Sequence, residues 1–270
     1  MRIANIAHAV FAATLVALGL LGLIEGGFTV IWQPVFDRVP AAEFLAGLCA
    51  VVSLACGLGL LGSRSTAMAA RVLFFYALLW LLAFKLPLIV QAPLTEGSYQ
   101  YCGEMAVIVA GAWVLHARFA TDADRRRLGL AVGQRGLRLA RVLYGLALIA
   151  FGFSHFAYLK LTAPLIPHWL HVPVFWAYFT GSAYLAAGAA ILFNVLARLA
   201  ATLSAVMMGL FLMLIWLPMV AAGHVNAFNW GETYATWVLT AAAWLVADSW
   251  RGVGRVGLEL VSDPVTVRFN

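Results

Sequence analysis

The chain has 270 residues, of which 64% are hydrophobic and only 10% charged, and its mean hydropathy is +0.94. A soluble domain keeps charges near a quarter of its residues, so a water-exposed globular fold is excluded and most of the solvent must be lipid. The net charge of +6 and the pI near 9.5 report topology and contact with anionic lipid, not nucleic acid, because the cations sit between long apolar runs.

A spanning helix needs about 20 mainly apolar residues, since about 30 Å of hydrocarbon is crossed at about 1.5 Å per residue. Eight runs qualify in chain order: 6–32, 44–62, 68–90, 101–117, 139–159, 174–193, 200–221 and 230–247. The bilayer offers backbone groups no water, so runs of this length are read as helices. The first run is too long for the apolar core of a secretory signal and lacks a small-residue cleavage site before Gln33. It is read as an uncleaved helix.

With the N-terminus inside, the inner connections hold Arg2, Arg64, Arg71, Arg118, Arg125, Arg126, Arg127, Arg135, Arg138, Arg141, Arg198, Arg251, Arg255 and Arg268. The outer side holds Arg38, Lys85 and Lys160, a bias of fourteen to three. That excess predicts both termini in the cytoplasm of a cell inner (plasma) membrane, with the lipid bilayer as the first partner. Trp32, Trp169, Trp176, Trp230 and Trp250 fall near the expected interfaces.

The second four runs echo the first four. Gly27-Phe28-Thr29 matches Gly152-Phe153-Ser154, Lys85-Leu86-Pro87 matches Trp216-Leu217-Pro218, Gly103-Glu104 matches Gly231-Glu232, and Ala70-Arg71 matches Ala197-Arg198. The fold class expected is therefore all-α: a polytopic membrane protein of eight transmembrane helices in two tandem four-helix bundles, N-in and C-in. The expected units are 1–120, a basic cytoplasmic linker over 121–137, a second unit over 138–250, and a cytoplasmic tail over 251–270. An even number of spans repeats in the same orientation, so the halves should be related about the membrane normal. Leucines 128, 130, 137 and 139 alternate with the arginines of the seam, which suits a segment lying on the cytoplasmic leaflet.

Small residues mark close helix approach: Gly57 and Gly59 in the second run, and Gly181, Ala183, Ala186, Ala187, Gly188 and Ala190 in the sixth. Cys49, Cys56 and Cys102 form no C-x-x-C pair, so a dithiol centre is not expected.

From Gly152-Phe153-Ser154-His155-Phe156, through Pro164-Leu165-Ile166-Pro167-His168-Trp169-Leu170, to Trp176-Ala177-Tyr178-Phe179-Thr180-Gly181, the second half resembles the DoxX-like family of bacterial membrane proteins. Ala187-Gly188-Ala189-Ala190-Ile191-Leu192 and Ala197-Arg198 continue the resemblance, which covers about 80 residues. It implies a four-helix unit, here doubled, and association with redox proteins. Tyr184 and Trp216 stand where many relatives carry a polar residue or a histidine.

Ionisable groups inside a bilayer are costly and mark functional candidates. Glu25, Lys85 and His155 are the candidates for chemistry, placed at similar depth below the outer face, with Glu25 expected to pair with Lys85. Glu104, Tyr158, Trp216 and Glu232 are the ligand-binding candidates; Glu104 and Glu232 stand where two helices begin, so capping is the structural alternative for them. His168 and His171 lie three apart in a loop and, with His224, make an imidazole-rich rim, but no ligand set completes a metal site. His8 and His116 near the cytoplasmic face invoke haem ligation, which is set aside because histidine at a helix end usually reaches headgroups or backbone.

The leading expectation is a redox-associated subunit, with a redox protein as partner, that binds a quinone or another small apolar molecule in an outward pocket. Trp80, Phe84, Phe153 and Tyr158 would hold the ring while the charged groups handle protons. A scaffold or assembly factor and a small-solute transporter are the competing readings; buried charge confined to the outer half argues against transport.

Overall fold

The computed structural model describes residues 5–33, 39–223 and 226–251. Arg2, Arg38, His224, Arg255, Arg268 and the tail beyond Arg251 lie outside the described residues. Among the described residues every regular element is a helix. In chain order these are α1 (Ile6–Glu25), α2 (Ala42–Leu61), α3 (Thr66–Gln91), α4 (Glu96–Phe119), the short α5 (Asp122–Arg127), α6 (Gly133–Ala157), α7 (Pro173–Leu192), α8 (Ala197–Ala221) and α9 (Ala227–Asp248).

Seven of them are long and apolar enough to cross a membrane, which makes the chain a multi-pass membrane protein. Helix α9 has a comparable length of 22 residues but carries Glu232, Thr233, Thr236, Thr240 and Asp248. Its position explains that composition. Long helices pack on their neighbours in chain order, α9 returns to α1, and α4 and α9 meet across the middle. In the most apolar stretch of α4, 78% of the residues are buried, against 28% for α8. Lipid demands apolar side chains only where a helix faces the tails, so the two central helices hold the small and polar residues.

Close packing follows the glycines. A Cβ on Gly57 would lie 2.7 Å from the Val16 backbone nitrogen and 2.8 Å from the Ala12 carbonyl, so α1 and α2 touch through their backbones. A Cβ on Gly188 would lie 2.7 Å from the Gly145 carbonyl, which gives α6 and α7 the same intimacy.

One feature in each half was not legible as such. Helix α3 widens to a π turn over Leu81–Lys85, and α8 does so over Leu212–Trp216. Both turns run straight into Leu-Pro, where Pro87 and Pro218 lack an N–H and crowd the preceding turn; a wider turn accommodates them. The last residue of each π turn is buried in the bundle: Lys85 at 5% exposure and Trp216 at 7%.

Three expectations about element ends are corrected. Helix α1 does not run to Trp32: Gly26 takes the left-handed conformation at φ 67° and stops it at Glu25. The chain then folds back, and Trp32, fully buried, donates from Nε1 to Ser53 Oγ at 2.8 Å. Helix α4 begins at Glu96, five residues before the expected start, so Glu104 is not a first-turn residue. Helix α9 is capped by the Asn226 side chain, which accepts from the Asn229 amide, so Glu232 has no capping role. Trp250, expected at an interface, is buried beneath the Arg141 guanidinium at 4.3 Å.

Candidate functional site

The two ends of the bundle differ in how they treat charge. At the end formed by the α1 start, the α4 and α9 C-termini and α5, buried carboxylates are neutralised. Asp248, with a side chain 2% exposed, lies 3.1 Å from Arg118 Nη1 and 2.6 Å from Arg251 Nε, and also accepts from the Asn5 amide. Arg118 Nη2 donates to the Asp248 carbonyl at 2.7 Å. Arg141 donates to the Ser249 hydroxyl at 2.9 Å and to the Ser249 carbonyl at 2.5 Å. Asp124, also 2% exposed, pairs with Arg71 at 3.1 Å and closes a capping box with Thr121. We call this the arginine end.

The opposite, glutamate end has ionisable groups without such partners among the described residues. The π turn carries Lys85 inward, where Nζ donates to the Gln33 carbonyl at 2.7 Å and sits 5.6 Å from the Tyr101 ring centroid. Cys102 Sγ donates to the Lys85 carbonyl at 3.0 Å, fastening α4 to that turn. Lys85 and Glu104 then face each other across a small cavity walled by Tyr101, Ile108 and, from α9, Ala235 and Leu239. Its free space is about that of a single water molecule. Glu104 is half-buried and its exposed part looks into this space; Oε1 accepts from Gln100 Nε2 at 3.2 Å. Glu232, one turn before Ala235 on the same face of α9, stands within electrostatic reach of Glu104. Among the described residues, no ion pair within 4.0 Å includes Lys85, Glu104 or Glu232.

Glu96 adds a third carboxylate. Its Oε1 accepts from Ser154 Oγ, its Oε2 is buried without a hydrogen-bond partner among the described residues, and Tyr158 stands within electrostatic reach of it. Tyr158 lies just past the end of α6, and there burial, followed by the Glu96 charge, pushes its phenol up.

The structure thus joins Lys85, Glu104 and Glu232, and reaches Tyr158 through Glu96. It leaves out the others. Glu25 is exposed at the last position of α1 and does not pair with Lys85, because the Gly26 break turns the chain back and puts the Gln33 carbonyl on the ammonium instead. His155 packs on the Tyr184 and Phe211 rings and its Nδ1 lies 2.9 Å from the Phe151 carbonyl, within the α6–α7–α8 packing. Trp216 packs edge-on against Phe228. His168 and His171 are exposed, and among the described residues no three His, Cys, Asp or Glu side chains gather as a metal set. At the arginine end His116 is stacked on Phe74, and His8 packs against Phe119 with the rings tilted.

Sequence reasoning missed Glu96, Gln100, Tyr101 and Cys102. The spacing 96, 100, 104, 108 is a helical face that runs into the cavity, but it begins in polar residues that an apolar-run criterion discards. The expectation that buried charge is confined to one half is also corrected, since Asp124 and Asp248 are buried at the other end. Between the ends, buried α4 residues from Met105 to Ala112 are all apolar or glycine. No family model, no curated protein and no solved structure matches the chain.

Proposed function

We propose that this chain is an eight-span, DoxX-like membrane subunit of a redox system, duplicated from a four-helix unit, with both termini and the arginine end in the cytoplasm. The duplication is supported by the shared helix order of the halves and by the two π turns at an offset of 131 residues (81 to 212), each followed by Leu-Pro. The arginine asymmetry supports the orientation in the inner membrane.

The glutamate end is the functional site in this reading, and it binds the polar head of a small apolar molecule, a quinone or a compound of similar shape. One observation carries it: Lys85, Glu104 and Glu232 gather at one end of the bundle with no ion pair among the described residues, whereas the same chain neutralises its carboxylates at the other end. Burying a charge in an apolar bundle is costly, so groups kept there unneutralised are suited to hold and pass protons. The present space admits about a water molecule, so a ring-sized head enters as Tyr101, 47% exposed at the rim, swings aside. The scaffold reading has one observation in its favour, the contact of Lys85 with the Gln33 carbonyl and the Tyr101 face. Transport is disfavoured by the apolar run of buried α4 residues between the ends.

The test is mass spectrometry of small molecules retained by the purified protein, together with binding of a short-chain quinone. Glu104→Gln and Glu232→Gln are expected to lower retention by about tenfold, near 1.4 kcal/mol, with folding intact. Equal retention by both variants and the parent protein would leave the scaffold reading.

A further inference from the structure

The outer surface of α3 carries a groove lined by Met68, Val72, Phe75, Tyr76 and Leu79, with Arg71 at the arginine end. These positions are i, i+4, i+7, i+8 and i+11, a single stripe along the helix. Met68, Val72, Phe75 and Leu79 are exposed, while the Tyr76 hydroxyl is held by Cys49 Sγ at 3.2 Å, which fixes the floor. Eleven residues of helix rise about 17 Å, close to the thickness of one leaflet, about 15 Å of hydrocarbon. The length is that of an acyl chain.

Charge says what tops it. Arg71 is tied by Nη1 to Asp124, but its side chain keeps 36% exposure, so part of the guanidinium remains open to the groove. The same ion pair brings α5 to the head of the groove, and α5 continues from Asp124 into Arg125, Arg126 and Arg127, all exposed. Arg64 is exposed four residues before Met68. Five arginines against Asp122 and Asp124 leave a net positive rim over an apolar slot.

We propose that this groove is a specific site for an anionic phospholipid, its chain along Met68 to Leu79 and its phosphate held by Arg71 and the α5 arginines. The site lies at the end of the bundle opposite the cavity and does not depend on the function assigned there. Arginine forks match phosphate oxygens, and the ion pair with Asp124 fixes the fork before the lipid arrives.

The experiment is native mass spectrometry of the full chain reconstituted in an equal mixture of phosphatidylglycerol and phosphatidylcholine. The parent protein should retain phosphatidylglycerol in preference, by roughly fivefold for each arginine engaged. Replacing Arg125, Arg126 and Arg127 by Gln should remove most of that preference while the total of bound lipid persists. Val72→Trp, or Leu79→Trp, fills the slot from its lipid side and should abolish the retained molecule with unchanged thermal unfolding. Equal retention of the two lipids by the parent protein, or phosphatidylglycerol retention unchanged by both tryptophan variants, would overturn the site.

Discussion

The arginine end and the glutamate end are built from the same helices, yet they solve the problem of buried charge in opposite ways. At the arginine end Asp248 gathers Asn5, Arg118 and Arg251, so the starts and ends of α1, α4 and α9 are tied through one carboxylate. At the glutamate end Lys85 and Glu104 stand across a gap, with Glu232 behind, and a backbone carbonyl and a ring face serve the ammonium. The first arrangement gives rigidity, because each of its buried carboxylates is neutralised by a guanidinium. The second keeps groups ready to change protonation, and stability is what it gives up.

The contrast is broken most severely by Asp248→Ala. Removing one partner from a buried ion pair costs about 3 kcal/mol, the low end of the usual range because the Arg118 side chain keeps 22% exposure. Thermal unfolding in detergent should show a large fall in midpoint. A midpoint within a degree or two of the parent would mean that the arginine end is not the clamp its geometry describes.

A smaller effect of opposite sign is expected at the other end. Glu104→Gln and Glu232→Gln remove carboxylates that have no ion-pair partner among the described residues and should leave the unfolding midpoint unchanged or raise stability by about 1 kcal/mol. If either variant destabilises as Asp248→Ala does, that carboxylate has a structural partner and the two ends are alike.

Why one end was readable in the sequence and the other only half so has a physical cause. Lipid imposes a long apolar run on every helix that faces it, so eight runs were visible, and the small residues at Gly57 and Gly188 betrayed close packing. Lys85, Glu104 and Glu232 stood out because charge inside such runs is rare. The breaks were not legible. Gly26 could have continued a spanning run, and only its left-handed backbone shows that α1 stops at Glu25 and that Gln33, not Glu25, meets Lys85. The central helix α4 is shielded from lipid by its neighbours, so Glu96, Tyr99 and Gln100 extend it without disturbing anything, and hydropathy misplaced its start. The π turns depend on how a proline is relieved, which Leu-Pro alone does not specify.

The smallest effect is a pH dependence at the arginine end, on α5, outside the spanning helices. Burial alone would push the Asp124 carboxyl up, but the hydroxyl and amide of Thr121 and the guanidinium of Arg71 outweigh it and hold the group below the usual aspartate value. A carboxyl held low in the fold contributes stability that is complete above its unfolded value, about 3.9, and is lost as pH falls through the lower folded value. The anchoring of α5 should therefore be constant from neutral pH to about pH 5 and loosen only in acid. Hydrogen exchange of the Arg125 and Leu128 amides, which bond to the Thr121 and Asp124 carbonyls, reports it once corrected for intrinsic rates. Asp124→Asn should flatten the profile. The other titratable groups facing the carboxyl are Arg71, which stays charged, and His116, fully buried on α4 with both ring nitrogens lacking a hydrogen-bond partner. Loosening already between neutral pH and about pH 5 would assign the transition to another group, His116 foremost, and remove Asp124 as its cause.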